Sequence, residues 1–456
     1  MSFIIEKFKS FNSKNAIVFE DRIYTYEEFI KQIKDYKNIL DKHNISSKVV
    51  VILGDYSFYN LALFFALYEN KNIIVPITSN IKKVQDDFIE ESFCQTIIKT
   101  DEKNLLIQNL KTTFSHNMID NLREKNSSGL ILFSSGSTGK PKAMVHNLDT
   151  LIDSFKDKKE KSMNMLVFLM FDHIGGLNTV FNALCMGACL IIPKIKDAKT
   201  ICELIEKYKI MVLPSSPTFL NLILISQEYK NYDLSSLRMI TYGTETMPQS
   251  LLLKLKEVFP KVKFLQTFGT SETGISTTSS KSSNSLFMKL EDINGEYKIV
   301  ENELWLRSKT QVLGYLNASM DSFTSDGWFK TGDLVEVDGE YIKIIGRTKE
   351  VINVGGQKVL PAEVESIILE MEEISDCMVY AEQNAITGQT VVCDVVLNKN
   401  IENIKKRVRV FCKDRLDAYK IPTKVNVVDK TNFSDRFKKI RRKEKSSLLK
   451  NGNIIQ

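Results

Sequence analysis

Short apolar runs alternate with helix-patterned runs over most of this 456-residue chain, and that alternation restricts its fold more than any other feature. Residues 48–53, 72–75, 129–133, 166–170, 188–192 and 210–213 read as buried strands, with helices over 56–69 and the amphipathic 198–208. Strands alternating with helices of this size predict parallel α/β layers, because a parallel pair needs a long crossover to bring the chain back to the same end of the sheet. From about residue 296 the texture changes to short alternating runs broken by Gly and Asp (EYKIV, ELWLRS, VEVDGEYIKIIG), the pattern of antiparallel hairpins. A third block follows GRTK at 346–349: a helix from about Pro361, strands at 377–381 and 390–397, and a helix at 403–415. That is a small α+β unit of about a hundred residues, large enough for its own core. The boundary falls near Lys349, giving an N-terminal domain over 1–346 and a C-terminal domain over 350–456. Residues 281–285 and the Ser/Thr-rich stretch before them read as loop.

Composition mainly excludes. The 62 Lys and Arg against 56 Asp and Glu leave +6, too dilute over this length to mark a nucleic-acid binder. The most apolar stretches, 61–68 and 184–193, fall far short of the roughly 18 residues of a membrane span. Residues 1–15 carry charges inside their apolar stretch and do not read as a secretory signal. The seven cysteines, at 94, 185, 189, 202, 377, 393 and 412, form no CxxC pair and read as buried reduced thiols. A cytoplasmic protein with no stable membrane insertion and no nucleic-acid partner is expected.

Three segments carry chemistry. SSGSTGKPK at 134–142 follows the strand-like LILF; small residues leave backbone N–H groups free to approach phosphate oxygens, and hydroxyls and lysines add donors. It is not a Walker A loop, which needs Gly at 134 and Ser or Thr at 141; alone, such a loop is also an ordinary flexible turn. TFGTSETG at 267–274 places a carboxylate among hydroxyls, suited to Mg²⁺ in a phosphate field, with an aromatic ring to stack on a base. DGWFKTGDL at 326–334 holds a carboxylate after a Gly turn, able to accept both hydroxyls of a ribose, or is simply a hairpin turn.

Taken in order, these segments resemble one family, the adenylate-forming superfamily of acyl-CoA synthetases, nonribosomal-peptide adenylation domains and firefly-type luciferases. The resemblance spans SSGSTGKPK, FDHIGGL at 171–177, TYGTE at 241–245, FGTSETG at 268–274, LWLRS with GYLN between 304 and 317, DGWFKTGDL, and GRTKEVINVGGQKVLPAEVE at 346–365. It implies a large N-terminal domain of layered α/β subdomains with a small β-barrel-like part, then a small mobile α+β C-terminal lid. It further implies ATP and Mg²⁺, with Ser134, Ser135, Gly136, Ser137, Thr138, Gly139, Lys140 and Lys142 around the phosphates. Gly243, Thr244 and Glu245 match the segment beside the adenine, and Phe268 stands where a stacking Tyr is usual, followed by Gly269 and Thr270. Ser271 would touch the α-phosphate, Glu272 would hold Mg²⁺, and Asp333 and Arg347 would hold the ribose.

The implied reaction joins a carboxylic acid to AMP with loss of pyrophosphate, then passes the acyl group to CoA or to the phosphopantetheine of a separate carrier protein. In the family a lysine near the C-terminus, usually preceded by Gly, contacts the acid and the bridging oxygen. Matching Ile440 and Arg442 to that pattern selects Lys439, and counting from Asp429 selects Lys438; Lys439 is the expectation. A swing about a hinge at Lys349, within 347–349, would then bring Gly355 and Gly356 to line the thiol channel. In FDHIGGL, His173 matches acyl-CoA synthetases, while Asp172 matches amino-acid-activating domains, where it would hold an ammonium; the trailing Ile-Gly-Gly-Leu favours the acyl reading. Ser216, Gly243 and Gly274 are expected to shape the acid pocket.

Overall fold

The computed structural model describes residues 2–112, 114–134, 141–291, 295–399, 401–434 and 437–441. Two seven-stranded sheets form the body. One runs Lys263–Gln266, Met239–Tyr242, Val212–Ser215, Asn164–Leu166, Cys189–Ile191 and Asn15–Phe19, all parallel, with Arg22–Thr25 added antiparallel at its edge. The other has a parallel centre, Gly129–Phe133, Ile73–Ile77, Val49–Leu53 and Thr96–Asp101, flanked by antiparallel strands including Ala143–Asn147 and Gly314–Tyr315.

The helix Phe58–Glu69 is apolar on every side and buried along nearly its whole length, as such a helix must be. With Ile174–Cys185 it shares one core that draws on strands of both sheets, Phe64 and Phe181 meeting at 5.7 Å. The part expected to be barrel-like is a six-stranded antiparallel sheet, ordered Thr278–Ser280, Met288–Leu290, Tyr341–Arg347, Phe329–Asp338, Glu303–Ser308, Gly295–Val300. The C-terminal unit packs Pro361–Ile368 and Ile404–Lys413 over a sheet built on the long pair Ile374–Asn384 and Gly388–Leu397, with its own apolar core.

Two expectations are corrected. The strand read over 166–170 ends at Leu166; residues 168–170 leave the sheet and keep an apolar character because they wall a pocket. Part of the Ser/Thr stretch read as loop, Thr278–Ser280, is an edge strand paired with Met288–Leu290, where hydroxyl side chains suit a half-buried pleat. All seven cysteines are buried and free, and burial raises each thiol above its ordinary pKa. Among the described residues no helix is long and apolar enough to cross a membrane.

Candidate active site

Val212–Ser215, Met239–Tyr242 and Lys263–Gln266 run parallel, so the connections after them, with Ser216, Gly243 and Thr267, open on one side. Ligand sites on parallel sheets form at that end. A Cβ on Gly243 would stand 2.6 Å from Thr267 Oγ1, so only glycine lets the two loops approach this closely. Nearby, Ser134 and Lys142 close the neck of the predicted phosphate loop, each backbone N–H bonding to the other residue at 3.0 Å. The loop residues Ser135, Gly136, Ser137, Thr138, Gly139 and Lys140 lie outside the described residues. Asn317 braces the neck from across the sheet, accepting from the Ala143 N–H and donating to the Pro141 carbonyl, both at 2.9 Å.

Lys142 Nζ lies 4.6 Å from the centre of the Tyr315 ring, and the Tyr315 hydroxyl donates to Glu272 Oε1 at 3.2 Å. Burial, then Glu272, raises the Tyr315 phenol well above its usual pKa, which keeps it protonated as that donor. Hairpin register sets Asp333 directly across from Arg347, whose Nε donates to Asp333 Oδ1 at 2.8 Å. Asp333 Oδ2 is buried with no partner among the described residues. Burial raises the Asp333 carboxyl above the usual range against the pull of Arg347, while Asp333, and more weakly Glu272, raise Arg347. A buried acceptor left unpaired costs free energy, which a ligand hydroxyl donating to it would recover.

The C-terminal segment reaches this cleft as a tight hairpin, with Ser434 N–H bonded to the Lys438 carbonyl and Ile440 N–H to the Asn432 carbonyl. The large domain holds it at two points: Glu245 Oε1 accepts from the Lys439 N–H at 2.6 Å, and Ser216 Oγ donates to the Phe437 carbonyl at 3.0 Å. Beyond that point the side chains divide. Lys439 Nζ turns into the C-terminal domain, donating to Asp376 Oδ1 at 2.9 Å and to the Cys377 carbonyl at 2.6 Å; Arg441 follows it, paired through both nitrogens with Glu365. Burial works against both charges, but Asp376 and Glu365 outweigh it and raise both groups. Lys438 instead lines a pocket with His173, Thr244, Phe437 and residues 168–170. The ammonium of Lys439, the lysine expected to act, is thus held by Asp376 in this structure.

The AMP-binding enzyme family matches this chain over residues 6–316, and the AMP-binding enzyme C-terminal domain matches it over 363–434. The first match alone covers well over half of the chain. The chain belongs to the AMP-binding enzyme family. Acyl-CoA synthetase 7 of Caenorhabditis elegans is 29% identical to it over 379 residues, 75% of this chain and 68% of that protein. The 4-coumarate:CoA ligase 1 of Petunia hybrida is 25% identical across 92% of this chain and 88% of its own length. The crystal structure of the anthranilate CoA ligase AuaEII in complex with anthranoyl-AMP matches with a TM-score of 0.80 at 18% identity, over 96% of this chain and 95% of the other, a likeness of fold.

The structure places the other expected site residues of this AMP-binding enzyme as follows. Glu245, expected beside the adenine, clamps the hairpin and accepts from Thr218 N–H and Oγ1. Ser216, expected in the acid pocket, caps the helix Pro217–Ser226 and holds Phe437. Phe268 and Thr270 belong to a strand paired with Gly274–Ser276; Phe268 packs on the core of the six-stranded sheet, and the Thr270 hydroxyl closes the turn at Thr273, next to Ser271. Gly269 is the mid-strand partner of Ile275. His173 caps Ile174–Cys185, its Nδ1 accepting from the Gly175 N–H at 3.1 Å, so the neutral ring carries its proton on Nε2. Asp172 is buried and accepts from Thr78 Oγ1 at 2.8 Å. Lys349 is exposed in a short turn after Tyr341–Arg347, and Gly355 and Gly356 form an exposed hairpin tip. Sequence reasoning missed Tyr315, Asn317 and Phe437; the GYLN motif held a signal for the first two.

Proposed function

We propose that this enzyme activates a carboxylic acid with ATP and then transfers the acyl group to CoA. The observation that carries the reading is the C-terminal hairpin, which delivers Lys438 to a pocket beside His173 and Thr244 while the large domain supplies Lys142, Glu272 and the Asp333–Arg347 pair. A carboxylate oxygen of the acid attacks the α-phosphorus, the bond to the bridging oxygen breaks, and pyrophosphate leaves. Little covalent help is needed, since positioning and charge neutralisation dominate phosphoryl-type displacements. Lys438 would orient the acid carboxylate and meet the negative charge that grows on the bridging oxygen, with Lys142 acting on the departing phosphates. Asp333 Oδ2, with Arg347 fixing the other oxygen, would accept from the ribose hydroxyls.

Glu272 is an oxygen donor of the kind Mg²⁺ selects, and with one oxygen held by Tyr315 it fits as the ion's carboxylate beside phosphate oxygens. A bound Mg²⁺ supplies neutralisation of phosphate charge there. In the second step the thiol sulfur attacks the acyl carbon and AMP leaves; a swing about Lys349 that withdraws the hairpin and brings Gly355 and Gly356 inward would open the way for it. CoA as acceptor is supported by the names of the relatives, and His173 on the pocket wall, with Asp172 bonded to Thr78, supports an acyl over an amino acid. ATP–pyrophosphate exchange measured over fatty, aryl, hydroxy and amino acids tests the reading. Exchange with non-amino acids and CoA-dependent AMP release are expected; ATP binding without exchange for any acid refutes it.

A further inference from the structure

Phe437 is a residue of the C-terminal segment whose ring is built into the large domain. Its ring centre lies 5.0 Å from that of Phe219 and 5.3 Å from that of Phe168, with Phe433 stacked at 5.7 Å. Its backbone has φ +51°, a conformation that side chains with a Cβ rarely adopt, so the ring is kept there against local preference by these contacts and by Ser216. The ring and the Met170 side chain line two separate spaces. On one side, beside Lys438, His173 and Thr244, the space is about 10 Å³, room for about one water molecule. On the other is an open cleft of about 660 Å³, with Phe19, Val167, Ile192 and Pro193 on its apolar wall and Glu20, Asp55, Lys194 and Lys196 around it. Phe437 and Met170 therefore stand between the place where the acid carboxylate would lie and the larger cleft, whose apolar wall could take a tail.

We propose that Phe437 is a specificity-determining residue: carried in with the catalytic lysine, it plugs the acid pocket and limits the substrate to short acids whenever Lys438 is in place. The proposal rests on the acid-activation reading. A short acid needs only small side-chain adjustments beside Lys438, whereas a long one must drive its tail through the partition, and the ring yields only if it leaves the Phe168 and Phe219 surface. Removing either half of the partition joins the pocket to the cleft.

The test is kcat/KM for ATP–pyrophosphate exchange with straight-chain acids of two to twelve carbons, in the native enzyme, in Phe437→Gly and in Met170→Ala. Glycine accepts the positive φ without strain, and the methionine variant opens the same wall from the large domain without touching the hairpin. The native enzyme is expected to favour acetate to butyrate and to lose at least ten-fold by octanoate. Both variants are expected to raise the octanoate-to-butyrate ratio at least ten-fold, whatever happens to the absolute rates. A native enzyme that takes octanoate or dodecanoate as well as butyrate, or a ratio unchanged in both variants, overturns the proposal alone. Absence of exchange with every fatty, aryl, hydroxy and amino acid refutes the acid-activation reading and the proposal with it, whereas exchange with another class of acid but with none of the straight-chain acids overturns the proposal alone.

Discussion

Replacing Lys438 and Lys439 one at a time separates two roles that adjacent lysines hide. Lys439→Ala removes the partner of Asp376, and the side chains of both are only 11% exposed. Breaking a buried pair from one side costs about 3–5 kcal/mol. The Thr431 hydroxyl still donates to the other Asp376 oxygen, so the lower end applies, about 3 kcal/mol. With a urea slope of about 2 kcal/mol per molar for a small domain, the transition of the C-terminal domain should fall by roughly 1.5 M. Lys438→Ala leaves the Lys439–Asp376 pair intact and should leave that transition within roughly 0.3 M. Its effect belongs to the transition state, where losing a preorganised donor to developing charge costs about 3–4 kcal/mol, or 10²–10³ in rate. Urea melts followed by far-UV circular dichroism, set beside ATP–pyrophosphate exchange, read both quantities. Lys438→Ala should abolish exchange yet spare transfer from a supplied acyl-adenylate to CoA; Lys439→Ala, below its transition, should retain exchange. The reasoning fails if Lys439→Ala is stable but inactive, or if Lys438→Ala exchanges at the native rate.

Asp333→Asn should raise the KM for ATP ten- to a hundred-fold, since hydrogen bonds to a charged group are worth about 1.5–3 kcal/mol, and leave the KM for the acid unchanged; an acid KM that rises instead would remove Asp333 from the nucleotide. His146, fully buried in Ala143–Asn147, is held neutral down to about pH 4 by burial, only partly countered by the Thr310 backbone. The unfolded chain takes up that proton near pH 6.5 and the folded one near 4, so stability falls as pH drops through this window, by about 3 kcal/mol in total. His146→Leu should flatten that limb in chemical melts between pH 7 and 4; an unchanged slope would assign the acid sensitivity elsewhere.

The layered body was legible because buried parallel strands are apolar without interruption, and runs such as VVVIL and LILF have few other homes. Legibility failed where composition and position parted. Residues 168–170 look like a strand because they are apolar, yet they are apolar to wall a pocket. Thr278–Ser280 looks like a loop because it is polar, yet it is a half-buried edge strand, with the Thr278 and Ser280 hydroxyls bonded to Gln266. Within the site, Asp333 and Arg347 are fourteen residues apart and meet because the turn at Gly339 and Glu340 makes the hairpin and a one-residue register shift between Leu334 and Val335 then sets Asp333 across from Arg347. Tyr315 reaches Glu272 only because Gly314–Tyr315 pairs with Ala143–Asn147 from the far end of the sequence. No local pattern encodes either contact.

The lysine register shows why a motif match alone does not choose between the two lysines. A glycine before the lysine, as the resemblance implies, supplies a backbone of positive φ rather than a side chain. In this chain the positive φ falls at Phe437, +51°, so the residue that follows the turn is Lys438. Alternation then sends Lys439 and Arg441 together to the opposite side, onto Asp376 and Glu365. Shifting the register by one to carry Lys439 to the pocket would set Ile440 against Asp376 and take Arg441 off Glu365. Two bidentate bonds and a buried ion pair therefore select one register, and the letters around them, K-K-I-R-R, fit both.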